Sequence, residues 1–444
     1  MTIEGYRNAG DIEINHLTLV SRSGQSFDIT ELMLEVNIYQ GIYDKTMKAE
    51  IVIGDATGLI DFLKMPKNQV GGFAGSEVLL MSYRTPSEEN DRNKHIFILN
   101  SLSNRKRVEE SMEVFVLEGV SLETFATIDK KISRSYGGTR GNTIDKMMSS
   151  ITREFYQSEA IRTTYTSFSS SNFNVKKTIT IDDTKGLHKF VIPNLSIFDT
   201  IDFMAMEATG DNIGSFYTFY EDSNGFHFRN FAKLVDQDIK ETYSYEPSNY
   251  REGGKKADDP YFDAFKIIDF EVIKDVDMLD NMSGGLYGSK TILVDVLRKN
   301  TIEQNYSYEK NADKFSKFHH IVPGASLSTA VVDVKTTRFG HDQLSIFDKE
   351  APKPKSSERT AQFKRSYRKH ISNKLLEVTV HGNSNLNVGD VVWLSFPVAT
   401  TTEDGFREDK YMTGKHLITS LRHKFDKNQF VTVFECIKDT GYKR

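Results

Sequence analysis

Few side chains in this 444-residue sequence stand at spacings that chemistry requires. The single cysteine, Cys436, alternates within a strand-like run near the end and reads as core, because a nucleophilic thiol needs a base and an electropositive opening beside it. His319-His320 could begin a metal site, but neighbours on an extended chain point to opposite faces. Further ligands would have to come from His341, His370 or His381. Asp182-Asp183 and Asp258-Asp259 offer paired carboxylates for glycoside hydrolysis. That reaction sets its two carboxyl groups across a cleft, and both pairs sit in turn-like sequence. Tyr136-Gly-Gly-Thr-Arg-Gly141 is glycine-rich before a helix and could offer backbone N–H groups to a phosphate. It lacks the lysine of a nucleotide-binding loop, and a helix-opening turn explains it. Gly-x-Ser-x-Gly, His-Glu-x-x-His and Gly-x-x-x-x-Gly-Lys-Ser/Thr are absent. The reading is of a chain with no catalytic residue, no cofactor and no metal, and so not an enzyme.

One cluster of charge remains. Between residues 351 and 374 stand eight basic residues against Glu358 alone, a local +7. Lys364, Arg365, Arg368 and Lys369 are its densest part and the candidate interface residues, placed to meet an acidic partner or a nucleic-acid backbone. The whole chain carries 57 basic and 62 acidic residues, a net charge of −5, which argues against a general or sequence-specific nucleic-acid binder. One cysteine excludes an intrachain disulfide scaffold and suits assembly in a reducing cytoplasm. No apolar run approaches the roughly 18 residues of a membrane span, and Met1–Arg7 lacks the pattern of a secretory signal.

The elements that would position these groups are mostly strands. Thirty Phe and 19 Tyr with only 9 Pro favour β structure. Leu32, Leu34, Val36 and Ile38 alternate with Met33, Glu35 and Asn37, Met47, Ala49, Ile51 and Ile53 alternate with Lys48, Glu50 and Val52, and Gly41–Asp44 turns between them: a hairpin. Gly54-Asp-Ala-Thr-Gly58 ends it, a short helix follows at 59–63, and strands resume at 77–83, 94–104 and 113–120. Helical spacing then appears at 121–132, at 142–155 with Asn142 as N-cap, and at 196–208 with Ser196 as N-cap and Asp199 in the first turn. Residues 163–185 are rich in Ser and Thr and read as an exposed loop. Phe216–Tyr220, Asp222–Gly225 and Phe226–Arg229 read as strand, tight turn and strand. Strands are expected at 266–273 and 290–295, a loop at 246–260, and four closing strands from Leu376 onward. The two ends share a texture of hairpins, with Gly-Asp at 54–55 and again at 389–390.

The block from Pro193 to Asn230 resembles a segment of the baseplate central hub proteins of contractile-tailed bacteriophages. The hub parts of type VI secretion spike proteins and late-control tail proteins are similar there. Residues 11–120 are similar to the tube-like barrel of those hubs, and Val388-Gly-Asp-Val-Val-Trp-Leu394 resembles later strands of their second barrel. The resemblance covers most of the chain; residues 323–374 depart from it. It implies a mainly β fold with a helical insert (α+β), in which two tube-like antiparallel β-barrels form a pseudo-sixfold ring in a trimer. The expected division is a first barrel at 1–120, a helical insert at 121–212 and a hairpin of the second barrel at 213–240. An outer β segment at 241–322, a long basic linker at 323–374 and the rest of the second barrel at 375–444 complete it.

The same resemblance implies the function: a structural hub of the tail baseplate, a homotrimer adapting a sixfold tail tube to a threefold central spike around an axial channel. Its partners would be itself, the spike, the tube or a tube initiator, and other baseplate (wedge) proteins. It would reside in the virion after assembly in the host cytoplasm. Two other classes remain open from the residues. A host-surface module binding carbohydrate would show an exposed aromatic cluster, and a cell-wall hydrolase would show two facing carboxylates.

Overall fold

The computed structural model describes residues 9–63, 72–85, 93–139, 141–169, 173, 175, 177–212, 214–245, 263–295, 299–320, 322, 331–336, 357–402, 405–427 and 429–441. Period-two alternation builds the first unit. Met33–Gly41 and Lys48–Asp55 pair antiparallel, and Val36, Ile38, Ala49, Ile51 and Ile53 are buried on one face. Asp55 ends the second of these strands. Its carboxylate accepts from the backbone N–H groups of Thr57, Gly58 and Leu59, and so opens the helix Leu59–Phe62. Glu77–Arg84, Asn93–Glu109, Met112–Ser121, Glu13–Val20 and Ser26–Asp28 complete the unit around one core.

A second unit is made of Ile267–Lys274, Lys374–His381, Val391–Ser395, Gly414–Asp426 and Phe430–Lys438, with Glu241–Ser244 added parallel to Val391–Ser395. Its pairing order repeats that of the first. In the first, 33–41 pairs 48–55, then 112–121, 93–109 and 77–84. In the second, 267–274 pairs 374–381, then 430–438, 414–426 and 391–395. Chain order matches too, except that residues 275–373 intervene where the first unit has a short turn. The two Gly-Asp pairs hold different places in this repeat: one closes 48–55, the other precedes 391–395.

Ser420–Asp426 pairs antiparallel with Glu35–Gly41, so both units belong to one 13-stranded sheet. Neither unit is a closed barrel, which corrects the expectation of two. The edge of 33–41 that closure would need is taken by the other unit, and across the gap of the second unit, among the described residues, only Ser244 and Lys266 form a bridge. The second unit also takes in strands that were expected outside it. Strands 241–244 and 267–274 belong to its sheet and not to an outer segment, because a partner a hundred or more residues away leaves no local signal.

The insert packs helices Ile144–Phe155 and Ile197–Glu207 against two small sheets, while Glu159–Ser169 sets Ile161 in a cluster with Leu80, Ile96 and Ile98 of the first unit. Lys131–Tyr136 pairs Phe190–Ser196 in one; Tyr217–Asp222, Gly225–Asn230 and Thr178–Ile181 form the other. The 217–230 hairpin therefore belongs to the insert, not to the second unit. It is buried on both faces, with Tyr217, Phe219, Phe226 and Phe228 in the insert core and Phe216 and Tyr220 in the next. Gly225 is obligatory in its turn: φ is +141°, and a Cβ would lie 2.1 Å from Thr178 O. The loop expected at 163–185 contains the end of one helix and a strand, and Phe173 within it is buried.

Outside the second unit, Gly288–Asp295, Asn300–Ser307 and Val331–Thr336 form a three-stranded sheet under the helix Ser357–Ile371. The linker expected at 323–374 thus contains a strand and a helix; its remainder, with Lys353 and Lys355, lies outside the described residues, as do the 246–260 loop and Asp258-Asp259. The helix buries Gln362, Ser366, Tyr367, His370 and Ile371 at helical spacing. Three of those are polar, so an apolar stripe was not visible. Gln362 Nε2 donates to Ser289 O and Gln304 O, Ser366 Oγ donates to Leu286 O, and His370 Nδ1 lies 2.7 Å from Tyr308 OH.

Candidate functional site

The residues chosen for their chemistry serve the fold. Cys436 is fully buried in the second unit and burial pushes its thiol up. His319 Nε2 accepts from Lys415 N, and the backbone N–H groups of His319 and His320 donate to Asp439 and Thr440. Burial lowers the His319 pKa to about 3. Asp182 accepts from Asn230 N and pairs with Arg229 and Lys233, while Asp183 O accepts from Tyr217 OH. The glycine-rich turn after Tyr136 leads into the 144–155 helix, whose N-terminus already holds a carboxylate. Asp145 Oδ1 accepts from Thr184, and Thr184 Oγ1 caps Asp145 N. Asn142 is bridged to His188, so the cap comes from a residue distant in sequence. Among the described residues no group of His, Cys, Asp and Glu could hold a metal ion, and no helix is long and apolar enough to cross a membrane.

The four candidate interface cations lie together on the 357–371 helix, but three have internal contacts of evident purpose. Lys364 Nζ donates to Met206 O and Ala208 O at 2.7 and 2.6 Å. It closes the C-terminus of the 197–207 helix, and burial lowers its pKa to about 8. Lys369 pairs with Asp280 at 2.7 Å. Arg368 is exposed and stands over the Phe216 ring, 4.7 Å from its centre. Arg365 lies against Gly285, half-buried.

Two other surfaces carry more of the character of an interface. Among the described residues, six of the sixteen exposed large apolar side chains fall between 268 and 279: Ile268, Val272, Ile273, Val276, Met278 and Leu279. Exposed Tyr411 adjoins them, since Lys374 lies over its ring and pairs with Asp275. This patch includes the end strand of the 13-stranded sheet. The second surface is a hairpin arm. Beyond Leu99 the strand 93–109 pairs, among the described residues, only with 112–121, and Asn104 to Glu109 are exposed. It carries Arg105, Lys106 and Arg107 in a row beside exposed Val108. The strand of the first surface was legible and the arm only as far as Asn104; neither was legible as an edge, since sequence does not say which strand lacks a neighbour.

What holds the units rigid was also hidden. Lys177 Nζ pairs with Glu123 Oε2 at 2.6 Å and Glu221 Oε1 at 2.5 Å, all three almost fully buried. Glu221 Oε2 accepts from Met47 N, and Glu123 Oε1 from Tyr165 OH. Five chain segments meet at this cluster. Burial opposes the Lys177 charge, but the two carboxylates outweigh it and hold the pKa well above the ordinary value, while burial raises Glu221. At the far end of the second unit Lys438 Nζ donates to Met412 O at 3.1 Å and to Thr413 O, and fixes the Tyr411 loop.

No family model matches the sequence, and no curated protein matches it either. The fold does match solved structures. A tail protein from Neisseria meningitidis MC58 aligns at 10% identity and a TM-score of 0.50, covering 96% of each chain. The 43 kDa tail protein of prophage MuSo2 from Shewanella oneidensis aligns at 9% identity and a TM-score of 0.52, covering 96% of this chain and 100% of that one. Across nearly its whole length, this chain has the fold of these tail proteins.

Proposed function

We propose that the chain is the structural hub of a contractile-tail baseplate, a homotrimer whose six β units ring an axial channel and join a sixfold tube to a threefold spike. The observation that carries this reading is the repeat of one strand-pairing order within a single chain, its two copies joined edge to edge. A symmetry adapter needs two equivalent surfaces per subunit, and two such units supply them. The fold shared with tail proteins supports a place in the virion tail. The tube or its initiator and the wedge proteins would bind the outer and upper rims, the spike the lower, with assembly in the host cytoplasm. The four cations of the 357–371 helix join the proposal only through exposed Arg368; Lys364 and Lys369 are engaged within the chain.

Light scattering across a concentration series tests it. The expected mass is three times the 50.6 kDa of one chain. A single-chain mass at every concentration, with the spike protein present as well as absent, overturns the reading.

A further inference from the structure

The repeat leaves one joint unfilled. Within the chain, 414–426 pairs its first part, Gly414–Leu417, with 391–395, and its later part, Ser420–Asp426, with 33–41, the first strand of the other unit. The equivalent strand of the first unit is 93–109. Its first part, Asn93–Leu99, pairs with 77–84, the equivalent of 391–395. Its later part, Asn100–Glu109, has no ladder on that side among the described residues. The equivalent of 33–41 in the second unit is 267–274, and among the described residues that strand too has a ladder on one side only, with the single Ser244–Lys266 bridge beside its start. One chain therefore holds both halves of a joint it has already formed once, one on the end strand of its sheet and the other on the overhanging part of 93–109.

From this we infer that the 102–108 edge of one copy pairs antiparallel with the 267–274 edge of a second copy, reproducing between chains the joint of 420–426 with 33–41. This rests on the hub reading and specifies its subunit contact. Charge supports the assignment. In the filled joint Arg422 and Lys424 both pair with Glu35 on the facing strand. The arm repeats the basic side with Arg105, Lys106 and Arg107, and the edge repeats the acidic side with exposed Asp269 and Glu271. Exposure agrees. Val108 on the arm is 63% exposed, and the apolar ribbon from Ile268 to Val272 lies on the edge it would meet. The two edges differ, so the contact is head to tail, and repetition of it closes a ring where the rotation per unit permits. Two bulges in 267–274, at Ile268 and Ile273, shorten the continuous ladder. The contact between chains is therefore weaker than the one within, and dilution should reverse it.

The full chain carrying Glu271→Cys, combined in turn with Arg105→Cys, Lys106→Cys or Arg107→Cys, tests the joint under oxidation. The native Cys436 is fully buried and contributes no background. At least one pair should give covalent multimers ending at the ring size, while each single variant stays at single-chain mass on a denaturing gel. Lys106→Glu with Arg107→Glu should raise the concentration needed for assembly at least about tenfold, and adding Asp269→Lys with Glu271→Lys should restore it. A wild-type trimer in which no pair cross-links and the charge changes have no effect overturns this joint and leaves the hub reading standing. A single-chain mass with and without the spike, and no cross-link, overturns both.

Discussion

The two β units share a strand order but differ in the chemistry of their joints to their surroundings. The first meets the insert through an apolar cluster that includes Leu80, Ile98, Ile161 and Phe173, and beside it through buried charge: Lys177 between Glu123 and Glu221, with Met47 N on the same carboxylate. The second is locked to its outer layer by rings. Phe216, Phe231, Tyr306, Tyr308, Phe315 and Tyr367 pack under the basic helix, with neutral hydrogen bonds between them. A common strand order thus does not dictate the chemistry at its boundaries. Buried charge is sensitive to the loss of one partner and demands geometry; an aromatic core tolerates adjustment.

The largest test of that contrast is Lys177→Met. Removing the cation leaves two carboxylates buried without a counter-charge, a loss of about 3–5 kcal/mol measured by urea unfolding. Adding Glu123→Gln and Glu221→Gln should recover a good part of it. No recovery would mean that packing rather than charge makes the joint.

Next in size is a pH effect centred on Lys438 and Asp439 in the second unit. Burial lowers Lys438 to about 7 and raises Asp439 to about 6. The unfolded lysine stays protonated to about pH 10.4. Between about pH 7 and 10 the unfolded chain therefore binds the proton that the folded chain gives up, and stability rises with pH. Between about pH 4 and 6 the folded Asp439 binds an extra proton, a contribution that falls as pH rises, while buried His95, His319, His370 and His423, each lowered to about 3, contribute a larger rise over the same window. Urea midpoints against pH should rise less steeply above about pH 7 in Lys438→Met, with Lys364 at about 8 keeping a share of that limb, and more steeply between about pH 4 and 6 in Asp439→Asn, while Lys177→Met keeps both slopes. If the variants follow the wild-type profile, neither group titrates as its burial dictates.

How much of this could be read from the chain depends on the range of each interaction. The 33–41 and 48–55 hairpin and the Ser196 cap of the 197–207 helix are local, and the pattern of residues sufficed for them: Ser196 Oγ accepts from Asp199 N at 3.1 Å. The pairing of 267–274 with 374–381 and the charge cluster of residues 123, 177 and 221 join distant segments, and period carries no trace of a partner. The basic run was legible but misleading. Its charges suggested a solvated linker, while its buried face is half polar and so shows no apolar stripe. The edges proposed for assembly were the least legible, because an edge is defined by a neighbour that is missing.

Lys364→Met separates an internal role from an interface role for that run. It deprives Met206 O and Ala208 O of their donor, and the expected cost is about 1–2 kcal/mol in unfolding. Trimer mass should be unchanged. Loss of the trimer without loss of stability would return Lys364 to the interface.

The smallest effect sharpens the contrast between filled and unfilled edges. Arg422 lies in the filled joint, where its guanidinium pairs with Glu35 at 3.1 Å and donates to Asn37 Oδ1 at 2.8 Å, yet it keeps about a third of its side-chain exposure. Such a pair is screened by water, so Arg422→Ala should cost only about 0.2–1 kcal/mol. In the filled joint the backbone ladder and the buried Phe425 and Phe430 rings hold the strands, and charge mainly selects the register. An edge between two copies lacks covalent attachment, so the same small term acts on a dilute equilibrium and becomes visible as a shift in assembly concentration. A large loss of stability in Arg422→Ala would mean that charge, not the ladder, holds the filled joint, and the basic arm would then have to be weighed as a primary binding element rather than a selector.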